Sequence, residues 1–111
     1  MIEYGVMSDF EINKRVFAAV HGVKPLGYPH NADGRSVGND CNGNYTWYDY
    51  CNDPADAWAI IVKHRICISP VTGEDGFPRG WLAKTEGVPS RGDDKPLRAA
   101  MIVFLMKLDR S

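Results

Sequence analysis

The sequence predicts an α+β fold, with three helices packed on a small, mainly antiparallel β-sheet in a single domain over residues 1–111. Three observations carry this. Three stretches open on a polar cap and continue with apolar residues at helical spacing. Between the second and third lie two short runs with the alternation of strands, separated by a loop rich in Gly and Pro. The chain has 111 residues, 44% hydrophobic and 24% charged, which suits one domain with one core.

Ser8-Asp9-Phe10-Glu11 opens the first helix as a capping box, with Met7 and Ile12 placed as a hydrophobic staple. Ile12, Val16, Ala19 and Val20 fall on one face, while Glu11, Asn13, Lys14 and Arg15 occupy others, and Gly22 is a natural stop. Residues 24–44 form a Gly- and Asn-rich loop. A loop of that length is functional, partly disordered, or hides a short strand. Arg35-Ser36-Val37 is a weak strand candidate, and Asn44–Tyr50 a better one.

Asp53 suits the N-cap of the second helix, and Pro54 its first position, where a missing N–H costs nothing. Spacing puts Ala57, Trp58, Ile61 and Val62 on a core face, and Lys63, His64 and Arg65 close the helix against its dipole. A strand follows from Arg65 or Ile66 and ends at Pro70. Val71–Arg79 is a loop, and Gly80–Thr85 is the antiparallel partner strand. Glu86–Asp93 reads as a second polar loop. Lys95 or Asp94 then caps the last helix at Pro96.

In that helix Leu97, Ala100, Met101, Phe104, Leu105 and Leu108 form one stripe, and Ala99, Ile102, Val103 and Met106 a second. Only Arg98 and Lys107 interrupt the apolar circumference. A helix apolar on most sides is buried on most sides. The helix is therefore central, or part of it meets another chain, including a second copy in a homodimer; the central reading ranks first.

The charge balance is 13 Lys and Arg against 14 Asp and Glu, a net charge of -1. It offers no electrostatic pull toward nucleic acid or a membrane. The longest apolar run, residues 99–106, is far short of a membrane span. Three cysteines at wide spacing do not suggest a disulfide framework. The expectation is a soluble intracellular protein with reduced thiols.

Three blocks of the chain resemble the NinX-like proteins of lambdoid phages and prophages. They are residues 8–14 (SDFEINK), residues 49–58 (DYCNDPADAW) with Ile60-Ile61 following, and residues 94–106 (DKPLRAAMIVFLM). Ala59 stands where family members often carry proline, so the second helix here is better formed. The resemblance implies a phage or prophage origin, residence in the host cytoplasm, and an accessory role near recombination and late-regulation functions. It carries over no catalytic or binding residue.

No chemistry stands out. Cys41, Cys51, Cys67, His21, His30 and His64 lack zinc-knuckle spacing, so no metal or other cofactor is expected. Cys51 precedes a helix N-terminus, where a thiol pKa can fall, but nothing places a histidine beside it, and packing explains it better. Cys67 reads as a buried strand thiol. The carboxylates Asp53, Asp56, Asp93 and Asp94 are explained by helix capping and dipoles. Tyr45, Trp47, Tyr48, Tyr50 and Trp81, with Arg35, Arg79 and Lys84 nearby, suggest a stacking platform for single-stranded nucleic acid. The competing and preferred reading buries Trp47 or Tyr48, and Trp81, between sheet and helices.

The leading expectation is a non-enzymatic accessory protein that binds a host or phage protein. Its candidate interaction surface is Tyr45, Trp47, Arg79 and Trp81 on the strands, and Ile102, Val103 and Met106 on the last helix. A single-stranded nucleic-acid factor is the alternative, and a thiol enzyme through Cys51 the third.

Overall fold

The computed structural model describes residues 3–41 and 43–109. Asn42, one of the expected turn residues, and the side chain of Cys41 lie outside them. The element order is a 3-10 turn (Tyr4–Val6), α1 (Asp9–His21), β1 (Val37–Cys41), β2 (Asn44–Tyr48), α2 (Pro54–Lys63), β3 (Cys67–Thr72), β4 (Pro78–Lys84), β5 (Arg91–Asp93) and α3 (Pro96–Asp109). The fold is α+β, as the sequence predicts. The strands form two antiparallel sheets rather than one: a β1–β2 ribbon and a three-stranded sheet in the order β3-β4-β5.

The helices begin where their caps are written. Ser8 Oγ accepts the Glu11 N–H at 3.1 Å, and Asp53 Oδ1 accepts the Ala55 N–H at 2.9 Å. Glu11 turns its carboxylate to Lys14 at 3.3 Å. The loop at 24–44 does hide a strand, two residues beyond the candidate. It is tied down by Asp33, which accepts from the Arg35 and Ser36 amides at 2.9 Å, and by Leu26 and His30 amides bonded to Gly38 and Ser36 carbonyls.

Several strand boundaries depart from expectation: β2 ends at Tyr48 rather than Tyr50, and β4 begins at Pro78, within the stretch expected as loop. Pro70 does not end β3, because β3 is an edge strand with a register shift between Pro70 and Thr72, and an edge or bulge tolerates a missing donor. Arg91–Asp93, expected as loop, forms β5 against Trp81, Leu82 and Ala83. Three residues are too few to show an alternation.

The core centres on α3, which packs against β3, β4 and β5 and also against α1 and α2. Every residue from Arg98 to Leu105 is buried. The central reading of this helix is therefore correct, and the free stripe is not: Ile102 and Val103 are fully buried, and Met106 is half-buried. α1 contributes Ile12, Val16 and Phe17, whereas Ala19 and Val20 are exposed. Asn13, expected on a solvent face, is fully buried. α2 buries Ala57, Ile60 and Ile61. Trp58 and Val62, expected in the core, are 64% and 55% exposed. The buried face of α2 is turned by one residue from the face that bulk alone suggested. Cys67 is also exposed rather than buried.

Candidate functional site

All three family-like blocks converge on one polar junction. Asp9 of α1 receives four of its bonds there. Lys95 Nζ donates at 2.6 Å and Asn52 Nδ2 at 3.0 Å to Oδ2, and Arg98 Nη1 donates at 2.8 Å to Oδ1; the Cys51 thiol lies 4.0 Å from the Asp9 carbonyl. Arg98 also holds Asp93 at 3.0 Å and donates to the Met7 carbonyl at 2.6 Å and the Gly5 carbonyl at 3.3 Å. Buried Asn13 donates to Asp49 Oδ1 at 3.0 Å and the Arg35 carbonyl at 2.8 Å, and accepts the Cys51 N–H at 3.1 Å. Arg35 Nε bonds Asp49 Oδ2 at 2.6 Å, and Asp56 accepts the Asp49 N–H at 2.9 Å.

The junction sits where all three helices start. Each N-terminus carries partial positive charge, so carboxylates gather there, and Arg35 from the long loop, Lys95 from just before α3 and Arg98 from its first turn neutralise them. Burial pushes Asp9 upward, but hydrogen bonds from Lys95, Asn52 and Arg98 outweigh it and leave its carboxyl below the usual range. Asp56 goes the other way. Burial, with repulsion from Asp53 and Asp49, raises it despite its backbone donor. Among the described residues no buried side-chain nitrogen or oxygen lacks a partner. A fully paired cluster of this kind locks chain segments together.

All three helices also end together. Ala19 and Val20 from α1, Ala59, Ile60 and Lys63 from α2, and Phe104 and Leu108 from α3 line a groove of about 250 Å³ with His64. A second cleft of about 230 Å³ shares Lys63 and His64 and adds Arg65, Thr85, Glu86 and Lys107. His64 lies 4.8 Å from the Phe104 ring. Burial first, then the charges of Lys107 and Lys63, lower its pKa. Arg65 follows the C-cap of α2 with φ 52°. Its N–H bonds the Val62 carbonyl and the Ile66 N–H bonds the Ile61 carbonyl, the two bonds of a Schellman stop. Glycine is the usual residue in that left-handed position, and arginine is strained there.

The expected strand surface is divided. Tyr45 and Trp47 belong to the β1–β2 ribbon, and Arg79 and Trp81 to the other sheet. Tyr45 is 56% exposed and Trp81 36%, so Trp81 is not a core residue. Trp47 faces Gly38 across the ribbon, where an added Cβ would lie 2.6 Å from the indole, and it meets His30 edge-on at 4.7 Å. Arg79 holds Asp75 at 2.5 Å. Tyr48 and Tyr50 stack at 5.7 Å, and Tyr48 also meets Phe17 and His21. The aromatics of this segment are thus largely spent on one another. Of the three last-helix residues in the expected surface, Ile102 and Val103 are fully buried and Met106 is half-buried.

Cys51 is buried, and burial followed by the Asp9 charge pushes its thiol up to about 12. The histidine rings make their aromatic contacts elsewhere: His21 with Phe17, His30 with Trp47, His64 with Phe104. Asn13 and Arg98, the organising side chains of the junction, escaped sequence reasoning as site residues. The signal that marks them is local: Asn13 stands one turn before Val16 and Phe17 on the apolar side of its helix, and Arg98 is the one charged residue between Leu97 and Met106. Among the described residues no helix is long and apolar enough to cross a membrane.

No curated protein and no solved structure matches the chain. A family model does: the one described as Bacteriophage P22, NinX matches residues 3–108, nearly the full length, and its span takes in every residue of the junction and of the groove. The chain belongs to that phage NinX family.

Proposed function

We propose that this protein is a non-enzymatic accessory factor, encoded by a phage or prophage, that binds a host or phage protein in the bacterial cytoplasm. One observation carries the reading. α2 is apolar at seven of its ten positions yet buries three residues. It leaves Trp58 and Val62 on one exposed flank and Ala59, at the mouth of the groove, on the other. An exposed tryptophan beside a second apolar residue is the kind of feature that anchors protein interfaces. The non-enzymatic half draws support from Cys51, whose buried, raised thiol is the reverse of an activated nucleophile.

The nucleic-acid reading has weaker support. Exposed Tyr45 and Trp81 sit on separate sheets, and Trp47 is committed to Gly38 and His30.

The test is affinity capture from phage-infected bacteria with the wild-type chain and with Trp58→Asp and Ala59→Asp variants. The reading expects a host or phage protein captured by wild type and lost, at least in part, with one of the variants. A wild-type chain that captures nothing and remains monomeric would sink it.

A further inference from the structure

The groove at the helix C-termini continues into a cluster of cations. Lys63 and His64 belong to both cavities, so the apolar lining and the basic rim form one surface. Lys63, Arg65 and Lys107 take part in none of the ion pairs among the described residues, as is also true of Arg15, Lys24 and Lys84, but Lys63, Arg65 and Lys107 gather at one cleft beside an apolar groove. Glu86 is the one acid in the cleft. The negative ends of α2 and α3 draw positive side chains to this place. Arg65 adds its charge from the strained left-handed position that glycine fills without cost.

Resting on the protein-binding reading above, we infer that this surface receives an acidic amphipathic helix of the partner. Its apolar face fills the groove between Val20, Ala59 and Leu108, and its carboxylates meet Lys63, Arg65 and Lys107. Charge complementarity decides the occupant. A neutral apolar helix would leave the cations unanswered, and a nucleic-acid backbone would leave the apolar groove empty. Apolar anchors recurring every three or four residues, with acids beside them, are what a groove of this kind reads.

The test places a photo-crosslinking amino acid at Ala59, at Val20, or at Trp58 on the other flank of α2, in the full chain expressed in phage-infected bacteria. Adducts are mapped by mass spectrometry. The expected result is a protein segment joined to positions 59 and 20, with Asp or Glu interleaved among apolar residues at helical spacing. The yield should fall about tenfold in Lys63→Glu/Lys107→Glu. Arg65→Gly should lower the yield several-fold while raising the melting temperature, a pairing that simple misfolding does not produce. A groove adduct whose segment is not acidic, or whose yield ignores the charge reversals, overturns this inference and leaves the protein-binding reading standing. So does an adduct confined to position 58, or a groove adduct to nucleic acid or to a second copy of this chain alongside a protein adduct elsewhere. An absence of protein adducts at all three positions overturns both.

Discussion

At the start of the three helices Arg35, Lys95 and Arg98 lie 2.6–3.0 Å from the carboxylates of Asp49, Asp9 and Asp93. At their ends Lys63, Arg65 and Lys107 form no ion pair among the described residues, although Glu86 lines the same cleft, and apolar Val20, Ala59 and Leu108 are exposed beside them. α2 and α3 run from one region to the other, so the same helices carry both. The first region has the chemistry of a lock. Its charges are answered within the chain, and burial raises the cost of removing any one of them. The second leaves its cations and its apolar groove open to solvent, which is what the proposed docking site requires. The difference teaches that polar residues of one chain can be spent entirely on the fold at one end and withheld from it at the other.

Four measurements sharpen or break that contrast. The largest effect is expected for Arg98→Ala, which takes a charged donor from both Asp9 and Asp93 and leaves the Gly5 and Met7 carbonyls without its bonds. It should destabilise the protein by about 3–5 kcal/mol in urea unfolding. A loss no greater than that for the exposed Lys63→Ala would erase the distinction between the two ends.

Asn13→Ala should come next. It leaves the Cys51 amide and Asp49 short of a buried partner, at about 1–3 kcal/mol. The same unfolding experiment reads it. An unchanged midpoint would mean that water serves Asn13's partners equally well.

The third is acid sensitivity. Asp9 lies below the usual carboxylate range. Asp33 is held down to about 2, since its bonds to Ser36 and Arg35 outweigh the opposing pull of burial. A carboxyl lowered by folding contributes stability that is fully present above its unfolded pKa and is lost as pH falls through the folded one. Stability should therefore fall between about pH 4 and pH 2. Asp56, raised by burial, works with the opposite sign, its share being present at low pH and lost as pH rises. Asp9→Asn and Asp33→Asn should each flatten the acid limb, and Asp56→Asn should steepen it. A wild-type profile flat over that window contradicts the bonding described for Asp9 in the junction and for Asp33 in the long loop.

The smallest effect is expected at Trp58→Ser. With 64% of the residue exposed, the substitution should change stability by less than about 0.5 kcal/mol. A loss of several kcal/mol would return Trp58 to the core, where spacing alone had put it.

Much of the fold was legible along the chain because it is written locally. Ser8, Asp53 and Pro54 mark helix starts through bonds that reach two or three residues, and a reader needs nothing else to find them. The β3–β4 pairing follows from alternation across one connecting loop. β5 was not legible, because three residues carry no period. Trp58 and Val62 were misplaced for a related reason. On α2 the stripe of Ala57, Trp58, Ile61 and Val62 and the stripe of Ala57, Ile60, Ile61 and His64 are equally helical, and only the position of α3 chooses between them. The candidate surface suffered most. Ile102 and Val103 read as spare because a sequence does not say how many sides of a helix are covered.

By itself, then, the sequence determined where the helices begin, that the class is α+β, and that the chain resembles a phage family. Each of these depends on caps, periodicity or motif, all of them short-range. Tertiary structure alone decided that Asp9, Asn13, Asp49, Lys95 and Arg98 meet, and that Lys63, Arg65 and Lys107 are left over. Those outcomes depend on partners up to 89 positions apart in the chain. Charge pairing over such separations is set by how the helices pack, and packing is a property of the whole core rather than of any segment.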